Sequence, residues 1–175
     1  ELGDYYFKLG KFKSALSYYK TVQKSNLSGE DKERYAYRLG YCYIKSNKTK
    51  EAKEILYPLT NTDNPYRTEA TYYYGYACYM DKDYTKALAA FKQVQDQNIG
   101  AVKLYIAEIY YLQNEYQKAI DFAGSKDFVE LNTNRDMLLG KCHYRLGNYE
   151  KAQTYFESSR YKINELTNAE AYEIG

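Results

Sequence analysis

The sequence predicts an all-α fold, an α-solenoid built from stacked helix–turn–helix repeats. Three observations predict it. A small residue recurs every 32–37 positions, two apolar segments with helical spacing fit between recurrences, and strand signals are absent. The chain has 175 residues, the length of one ordinary domain or of a short repeat array. An array is favoured because the same pattern returns along the whole length.

The recurring small residue ends a dipeptide: Leu2-Gly3, Leu39-Gly40, Tyr74-Gly75, Ile106-Ala107, Leu139-Gly140 and Ile174-Gly175. In each complete unit an alanine follows twelve residues later: Ala15, Ala52, Ala87, Ala119 and Ala152. A large residue closes most units four positions after the alanine: Tyr19, Leu56, Phe91 and Phe156. We expect the small residues to lie where the two helices of a unit cross, because only small side chains let backbones approach closely. A leucine at Gly40 or Ala87 would overpack that crossing and lower the stability of the fold by about 1–3 kcal/mol.

A break separates the two helices of each unit. Its residues are Gly10, Asn47, Lys82, Asn114 and Gly147. Glycine and asparagine are the residue types that end helices in the left-handed conformation, so Lys82 is the weak member of this series. Each unit is therefore predicted to be helix–turn–helix, and its apolar face can be buried only by stacking on neighbouring units.

A helical hairpin of about 34 residues with Leu-Gly, then Tyr, then Gly-x-Tyr-x-x-Ala and a later aromatic resembles the tetratricopeptide repeat. The resemblance implies a right-handed α-solenoid of antiparallel hairpins and a single array over residues 1–175. The predicted units are 1–29, 30–65, 66–99, 100–132, 133–166 and the start of a sixth at 167–175. Neither end carries a polar capping unit, so we expect an excised section of a longer array.

Some positions depart from the family pattern. Thr49 stands where an aromatic is usual, and Cys78 stands where tyrosine is typical. In the fourth unit Ala123 replaces the large closing residue, and Gly124 is expected to shorten the second helix. These departures in the fourth unit are open to three interpretations: a kink, a binding feature or drift.

Composition excludes several functional classes. The 25 basic and 23 acidic residues give a net charge of +2, which argues against a general nucleic-acid binder. No apolar run is long enough to span a bilayer. The three cysteines, Cys42, Cys78 and Cys142, form no C-x-x-C pair and are expected to be small core residues rather than disulfide partners or zinc ligands. The compartment stays open.

Catalysis is not expected. The single histidine, His143, occupies the first-helix place held by Tyr6, Tyr43 and Tyr110 in other units, and we interpret it as a core-edge residue satisfied by a neighbour. Adjacent residues on a helix point about 100° apart, so Cys142 and His143 cannot form a nucleophile–base pair. Motifs for phosphate or metal binding are absent. We therefore expect no enzyme activity, no catalytic residues, no metal and no cofactor.

The resemblance implies that the first helices line a concave groove that contacts extended peptides. Half of the positions it places in the groove are tyrosine: Phe7, Tyr37, Tyr41, Ile44, Tyr72, Tyr76, Tyr79, Leu104, Glu108, Tyr111, Met137, Lys141, Tyr144 and Arg145. Tyrosine offers a large apolar ring, a hydroxyl that tolerates water and few torsions to freeze, which suits binding surfaces. The alternative is that these rings pack against adjacent first helices.

Two basic pairs lie near the groove, Arg34 with Arg38 and Lys141 with Arg145. Neither pair has the asparagines of the family's carboxylate clamp, whose other places hold tyrosine or leucine, so that clamp is rejected. Weak recognition of acidic residues is one interpretation of both pairs, and a solvated helix face is the other.

The leading hypothesis is a non-catalytic scaffold that binds a peptide or helix of another protein in the tyrosine-rich groove. The residues expected to bind the partner are Tyr37, Tyr41, Tyr72, Tyr76, Tyr79, Tyr111, Tyr144, Arg34, Arg38, Lys141 and Arg145. Two alternatives use the same helical repeat: glycan binding by stacked aromatics, and self-association through apolar faces at the truncated ends.

Overall fold

The computed structural model describes residues 1–97, 99, 101–125 and 132–159. The chain divides into two compact units, residues 1–99 and residues 100–175. Every regular element within the described residues is helical. The predicted all-α repeat architecture is confirmed, whereas the predicted start of a sixth repeat at 167–175 lies outside the described residues.

The first unit contains three helix pairs and one short 3₁₀ turn, Lys24–Asn26. Its helices are α1 (Leu2–Lys8), α2 (Phe12–Lys20), α3 (Gly29–Lys45), α4 (Thr49–Thr60), α5 (Arg67–Met80) and α6 (Tyr84–Val94). The second unit contains α7 (Val102–Leu112), α8 (Tyr116–Ala123), α9 (Asn132–Arg145) and α10, for which residues 149–159 are helical. Within each unit a helix packs against its neighbours in sequence, and first helices of successive pairs also touch, α3 on α5 and α7 on α9.

The turns inside the pairs have the conformation that the sequence predicts. All five break residues have positive φ, between 55° and 77°: Gly10, Asn47, Lys82, Asn114 and Gly147. In the first turn the amide of Gly10 donates to the carbonyl of Phe7 at 3.0 Å, and the amide of Lys11 donates to that of Tyr6 at 2.9 Å. The same two bonds recur in the other four turns. This bond pair satisfies the last carbonyls of a helix, so each first helix ends at a defined residue.

The small residues lie at the helix crossings, as predicted. A Cβ added to Gly40 would lie 2.5 Å from Leu56 Cγ, and one added to Gly140 would lie 2.6 Å from Phe156 Cε1. Gly3 meets Tyr19, and Gly75 meets Phe91, in the same way. The large residue of the second helix therefore occupies the space that the absent side chain of the first helix leaves open.

In the fourth helix pair both crossing positions are alanine. Ala107 stands where the other pairs have glycine, and Ala123 stands where they have a large residue. Both are fully buried in one core cluster, and α8 ends directly before Gly124. Ala123 is therefore a core residue of the second unit.

The repeat alanines and the three cysteines are part of the buried core. The five repeat alanines are buried, with 0–2% of their surface exposed. Cys42, Cys78 and Cys142 are fully buried free thiols, which confirms their interpretation as core residues. Burial raises the pKa of Cys42 to about 12 and that of Cys142 to about 11. In the described part of the chain, no helix combines the length and the apolar character needed to cross a membrane.

Candidate partner-binding surface

The seven tyrosines predicted to bind a partner, here called the stripe tyrosines, all lie on first helices: Tyr37, Tyr41, Tyr72, Tyr76, Tyr79, Tyr111 and Tyr144. Six are half-buried, and Tyr144 has 58% of its surface exposed. Leu104, which the resemblance also places in the groove, is a core residue with only 7% exposed. The stripe tyrosines therefore keep contact area for a ligand, whereas Leu104 does not.

The stripe tyrosines of the first unit belong to a larger aromatic network. Phe7 of α1 lies 5.4 Å from Tyr41 of α3, and Tyr41 lies 4.8 Å from Tyr73 of α5 at an interplanar angle of 89°. Tyr37 stacks on Tyr66 at 5.0 Å and 14°. Edge-to-face and offset-stacked rings attract each other beyond the area they bury, so this network joins three consecutive first helices.

The phenols of the network have pKa values above the ordinary value of tyrosine. Burial, reinforced by the carboxylate of Glu69 and by neighbouring rings, raises the pKa of Tyr37 to about 12. Burial and the adjacent Tyr41 raise the pKa of Tyr73 further. At neutral pH these hydroxyl groups can both donate and accept hydrogen bonds. The surface is thus apolar at its rings and polar at the hydroxyl tips.

Arg38 takes part in a structural ion pair. Its guanidinium contacts Oδ1 of Asp4 at 2.5 Å, and the hydroxyl of Tyr19 donates to the same oxygen at 2.6 Å. The guanidinium also lies over the ring of Phe7, 5.4 Å from its centroid. The contacts join α1, α2 and α3, so the charge of Arg38 is already matched within the protein.

The other predicted basic residues differ in their surroundings. Arg34 pairs with Asp31 one turn earlier on α3, and Lys141 is exposed on α9. Arg145 is exposed and donates from Nε to the hydroxyl of Tyr111 at 3.5 Å. Sequence reasoning missed Lys45, whose ammonium lies 5.3 Å from the centroid of the Tyr41 ring. Its spacing of four residues from Tyr41 was the available signal.

An aromatic pair brackets most of the turns. The two rings are five residues apart in sequence: Phe7–Phe12 at 5.6 Å, Tyr79–Tyr84 at 6.1 Å, Tyr111–Tyr116 at 5.5 Å and Tyr144–Tyr149 at 5.5 Å. The second helix pair has Ile44 and Thr49 at these places. Thr49 instead donates its hydroxyl to Asp81 at the end of α5, at 2.6 Å. A polar contact to the next pair therefore replaces the ring contact at this turn.

The residues considered for catalysis have structural surroundings. His143 is buried with 7% exposed, and its ring stacks on Tyr155 at 5.4 Å. Among the residues that the structure describes, its Nδ1 finds no hydrogen-bond partner, contrary to the expectation that a neighbour satisfies it. Among the described residues, histidine, cysteine, aspartate and glutamate form no group of three or more that could hold a metal ion.

Two sequence models described as Tetratricopeptide repeat match the chain, one over residues 1–57 and 62–102 and the other over residues 137–159. The first alone covers more than half of the chain. The chain belongs to the tetratricopeptide repeat family. None of the curated proteins matches it. Proteins with tetratricopeptide repeats typically bind other proteins.

Solved structures agree with this assignment at the level of the fold. The crystal structure of MamA is similar with a TM-score of 0.81 and 22% identity, over 96% of this chain and 98% of that one. A second MamA structure has a TM-score of 0.78 and 22% identity, over 95% and 90% of the two chains. A Podosopora anserina putative kinesin light chain with nearly identical TPR-like repeats has a TM-score of 0.71 and 16% identity, over 96% and 94%. At these identities the likeness shows the tetratricopeptide fold alone.

Proposed function

We propose that the chain is a non-catalytic scaffold that binds a peptide segment or helix of another protein through its stripe tyrosines. The supporting observation is their partial burial. Six of the seven side chains are half-buried and Tyr144 is exposed, so each keeps accessible surface. Rings that are already ordered lose little conformational freedom when a partner binds, so more of the contact energy appears as affinity.

The two units offer separate parts of this surface. In the first unit Tyr76 and Tyr79 lie on α5, the helix that also carries Tyr73, whose ring contacts Tyr37 and Tyr41. In the second unit Tyr111 and Tyr144 lie on α7 and α9. Arg145 and Lys141 add positive charge in the second unit, so an acidic segment would be favoured there.

The test uses peptides selected on the wild-type protein from a random phage-displayed library. Two double variants are compared, Tyr76→Ala with Tyr79→Ala, and Tyr111→Ala with Tyr144→Ala. Loss of two rings, at about 0.5–1.5 kcal/mol each, should weaken binding about 5- to 150-fold in at least one variant. Affinities are measured by titration calorimetry, and helicity is checked by circular dichroism.

The control is Tyr5→Ala. Tyr5 is an exposed tyrosine on α1 that is not a stripe tyrosine, with 58% of its surface accessible. The control should bind the selected peptides like the wild type. If both double variants fold and retain full peptide affinity, the stripe tyrosines are not the binding surface.

A further inference from the structure

The turn of the first helix pair differs in charge from the turns of the other pairs. Residues 5–29 contain five lysines and no acidic residue. Each of the other four turns has an acidic residue within four positions after its break residue: Glu51, Asp83, Glu115 and Glu150. In the first turn Ser14 has the place that Glu51 has in the second turn.

In three of the other turns the carboxylate pairs with a lysine of the same turn. The pairs are Lys48–Glu51 at 4.0 Å, Lys86–Asp83 at 3.0 Å and Lys118–Glu115. A carboxylate is therefore the group that the lysines of these turns bind. The first turn has Lys11 and Lys13 but no carboxylate of its own to pair with them.

A cleft of about 380 Å³ lies at the first turn. Its lining comes from the turn, the start of α2 and the end of α3: Gly10, Lys11, Phe12, Lys13, Ser14 and Lys45. The three lysines are exposed, and no acidic residue is among the lining residues. Within the described part of the chain, none of the three forms an ion pair. The positive charge of the cleft is thus unmatched by those residues.

Lys45 connects the cleft to the stripe tyrosines. Its ammonium lies 5.3 Å from the centroid of the Tyr41 ring and 6.0 Å from that of the Phe12 ring. Attraction to the two rings holds the ammonium beside Phe12, which lines the cleft. The rings do not neutralise the charge, so the ammonium can still donate to an anion.

We propose that this cleft binds neighbouring carboxylates of an acidic segment in a partner protein. The carboxylates contact Lys11, Lys13 and Lys45, as Glu51 contacts Lys48 in the second turn. Because three ammonium groups exceed the charge of one carboxylate, a segment with two or three adjacent aspartates or glutamates matches the cleft.

The choice of a peptide rests on the proposed function, because Lys45 places the cleft beside the stripe tyrosine Tyr41. The choice of carboxylates rests on the charge of the cleft alone. The site differs from the carboxylate clamp of the family, whose places in this chain hold tyrosine or leucine. Binding of carboxylates and binding to the stripe tyrosines can therefore be tested separately.

The probe is the tripeptide acetyl-Asp-Asp-Asp-amide, called tri-aspartate, which has three carboxylates and no aromatic ring. It is titrated into the full chain in the millimolar range, and binding is followed by the NMR shifts of the amides of residues 10–14. The titration is made at about 0.1 M ionic strength, where exposed charges more than about 10 Å apart are largely screened. The uncharged acetyl-Asn-Asn-Asn-amide should not bind.

The lysine variants test the cleft. Lys11→Gln with Lys13→Gln should weaken tri-aspartate binding about 2- to 30-fold, because two exposed ion pairs are lost. Lys45→Gln should weaken it about 1.5- to 5-fold. The matched control is Lys48→Gln with Lys50→Gln, which removes the same charge from the same places of the second turn. The control should bind like the wild type.

Ser14→Glu supplies the carboxylate that the first turn lacks. Glutamate is favoured in the first turn of a helix, so the variant should fold like the wild type. The new carboxylate competes for the lysines of the turn and should weaken tri-aspartate binding at least about twofold. The neutral variant Ser14→Gln should leave binding unchanged.

The outcomes that overturn the proposal are distinct. If the wild type does not bind tri-aspartate, or if both lysine variants bind it like the wild type, the cleft is not a carboxylate site. An equal loss in the matched control would mean that net charge matters rather than the cleft. Binding of phosphatidylserine vesicles or oligothymidylate without tri-aspartate, lost in the Lys11 and Lys13 variant, would replace the peptide by a membrane or a nucleic acid.

The stripe tyrosines provide the last comparison. Tyr76→Ala with Tyr79→Ala should bind tri-aspartate like the wild type, because the probe has no ring to place on them. A loss in this variant would locate the probe outside the cleft and overturn the proposal. If the selected peptides do not depend on the stripe tyrosines, the proposed function fails while binding of tri-aspartate stands.

Discussion

Leu56 packs so closely over Gly40 that a methyl group on Gly40 would lie 2.5 Å from Leu56 Cγ and Cδ2. The two residues are sixteen apart in sequence, and the same spacing relates Gly3 to Tyr19 and Gly140 to Phe156. Ala107 and Ala123 share it with a different division of volume. A residue without a side chain therefore faces a large one at most crossings, whereas the fourth crossing has a small side chain on each helix.

Gly40→Ala should therefore destabilise the protein despite the better helix propensity of alanine. Overpacking costs about 1–3 kcal/mol, against a propensity gain of about 1 kcal/mol. In a Leu56→Ala background the same change should become neutral or stabilising, because it recreates the alanine pair of the fourth repeat. Urea denaturation of the four proteins in this double-mutant cycle measures the reversal.

Gly29→Ala is the matched control for this cycle. Gly29 begins the same helix, and a Cβ there would meet nothing within 4 Å. The control should be neutral or slightly stabilising. If Gly40→Ala destabilises the Leu56→Ala protein as much as it destabilises the wild type, the packing explanation is contradicted.

Lys82→Gly should raise stability by up to about 1 kcal/mol. Lys82 has a φ of 61°, a conformation that costs a residue with a Cβ about 1–2 kcal/mol, and glycine avoids that cost at the expense of a smaller entropy penalty. Lys82→Ala removes the charge but keeps the Cβ, so it should show no gain. Chemical denaturation distinguishes the two, and equal effects would mean that charge matters rather than backbone conformation.

Asp4→Asn should destabilise the first unit at pH 7 by about 1–3 kcal/mol and much less at low pH. Burial alone would raise the pKa of Asp4, but the hydrogen bond from Tyr19 and the pairing with Arg38 outweigh it and lower the pKa below 3.8. This stabilisation is present above the unfolded value of 3.8 and is lost as pH falls through the lower folded value. Denaturation of both proteins from pH 7 to pH 2 checks the prediction. A stability difference that does not shrink on acidification would rule out the ion pair as its source.

His143→Phe should stabilise the second unit, and increasingly so as pH falls. Burial and the positive charge of Lys151 lower the pKa of His143 below 6.5. Below 6.5 the unfolded chain binds a proton that the folded chain resists, so the wild type loses stability on acidification. The phenylalanine variant lacks this loss and also removes an Nδ1 that has no hydrogen-bond partner within the described part of the chain. Thermal unfolding at pH 7.5 and 5.5 measures the stability difference between the variant and the wild type, which should widen at the lower pH. A difference that stays constant would argue against protonation of His143 as its cause.

The turns and the crossings were predictable from the sequence because each depends on residues within one repeat. Even Lys82, the weak member of its series, adopts the left-handed conformation, since five repeats share one turn geometry. Tyr66 and Tyr73 were not predicted as neighbours of Tyr37. Their positions depend on how one first helix lies against the next, which no spacing within a repeat encodes.

Periodicity alone determined that this protein is built from stacked helical hairpins, where each hairpin turns and where its two helices touch. Those features arise from backbone preference and local side-chain volume. Tertiary structure decided that Arg38 is paired with Asp4, thirty-four residues away, and that Tyr37 stacks on Tyr66 of the next repeat. Both follow from contacts between repeats, because the space and charge around a side chain depend on neighbours that the local sequence does not specify.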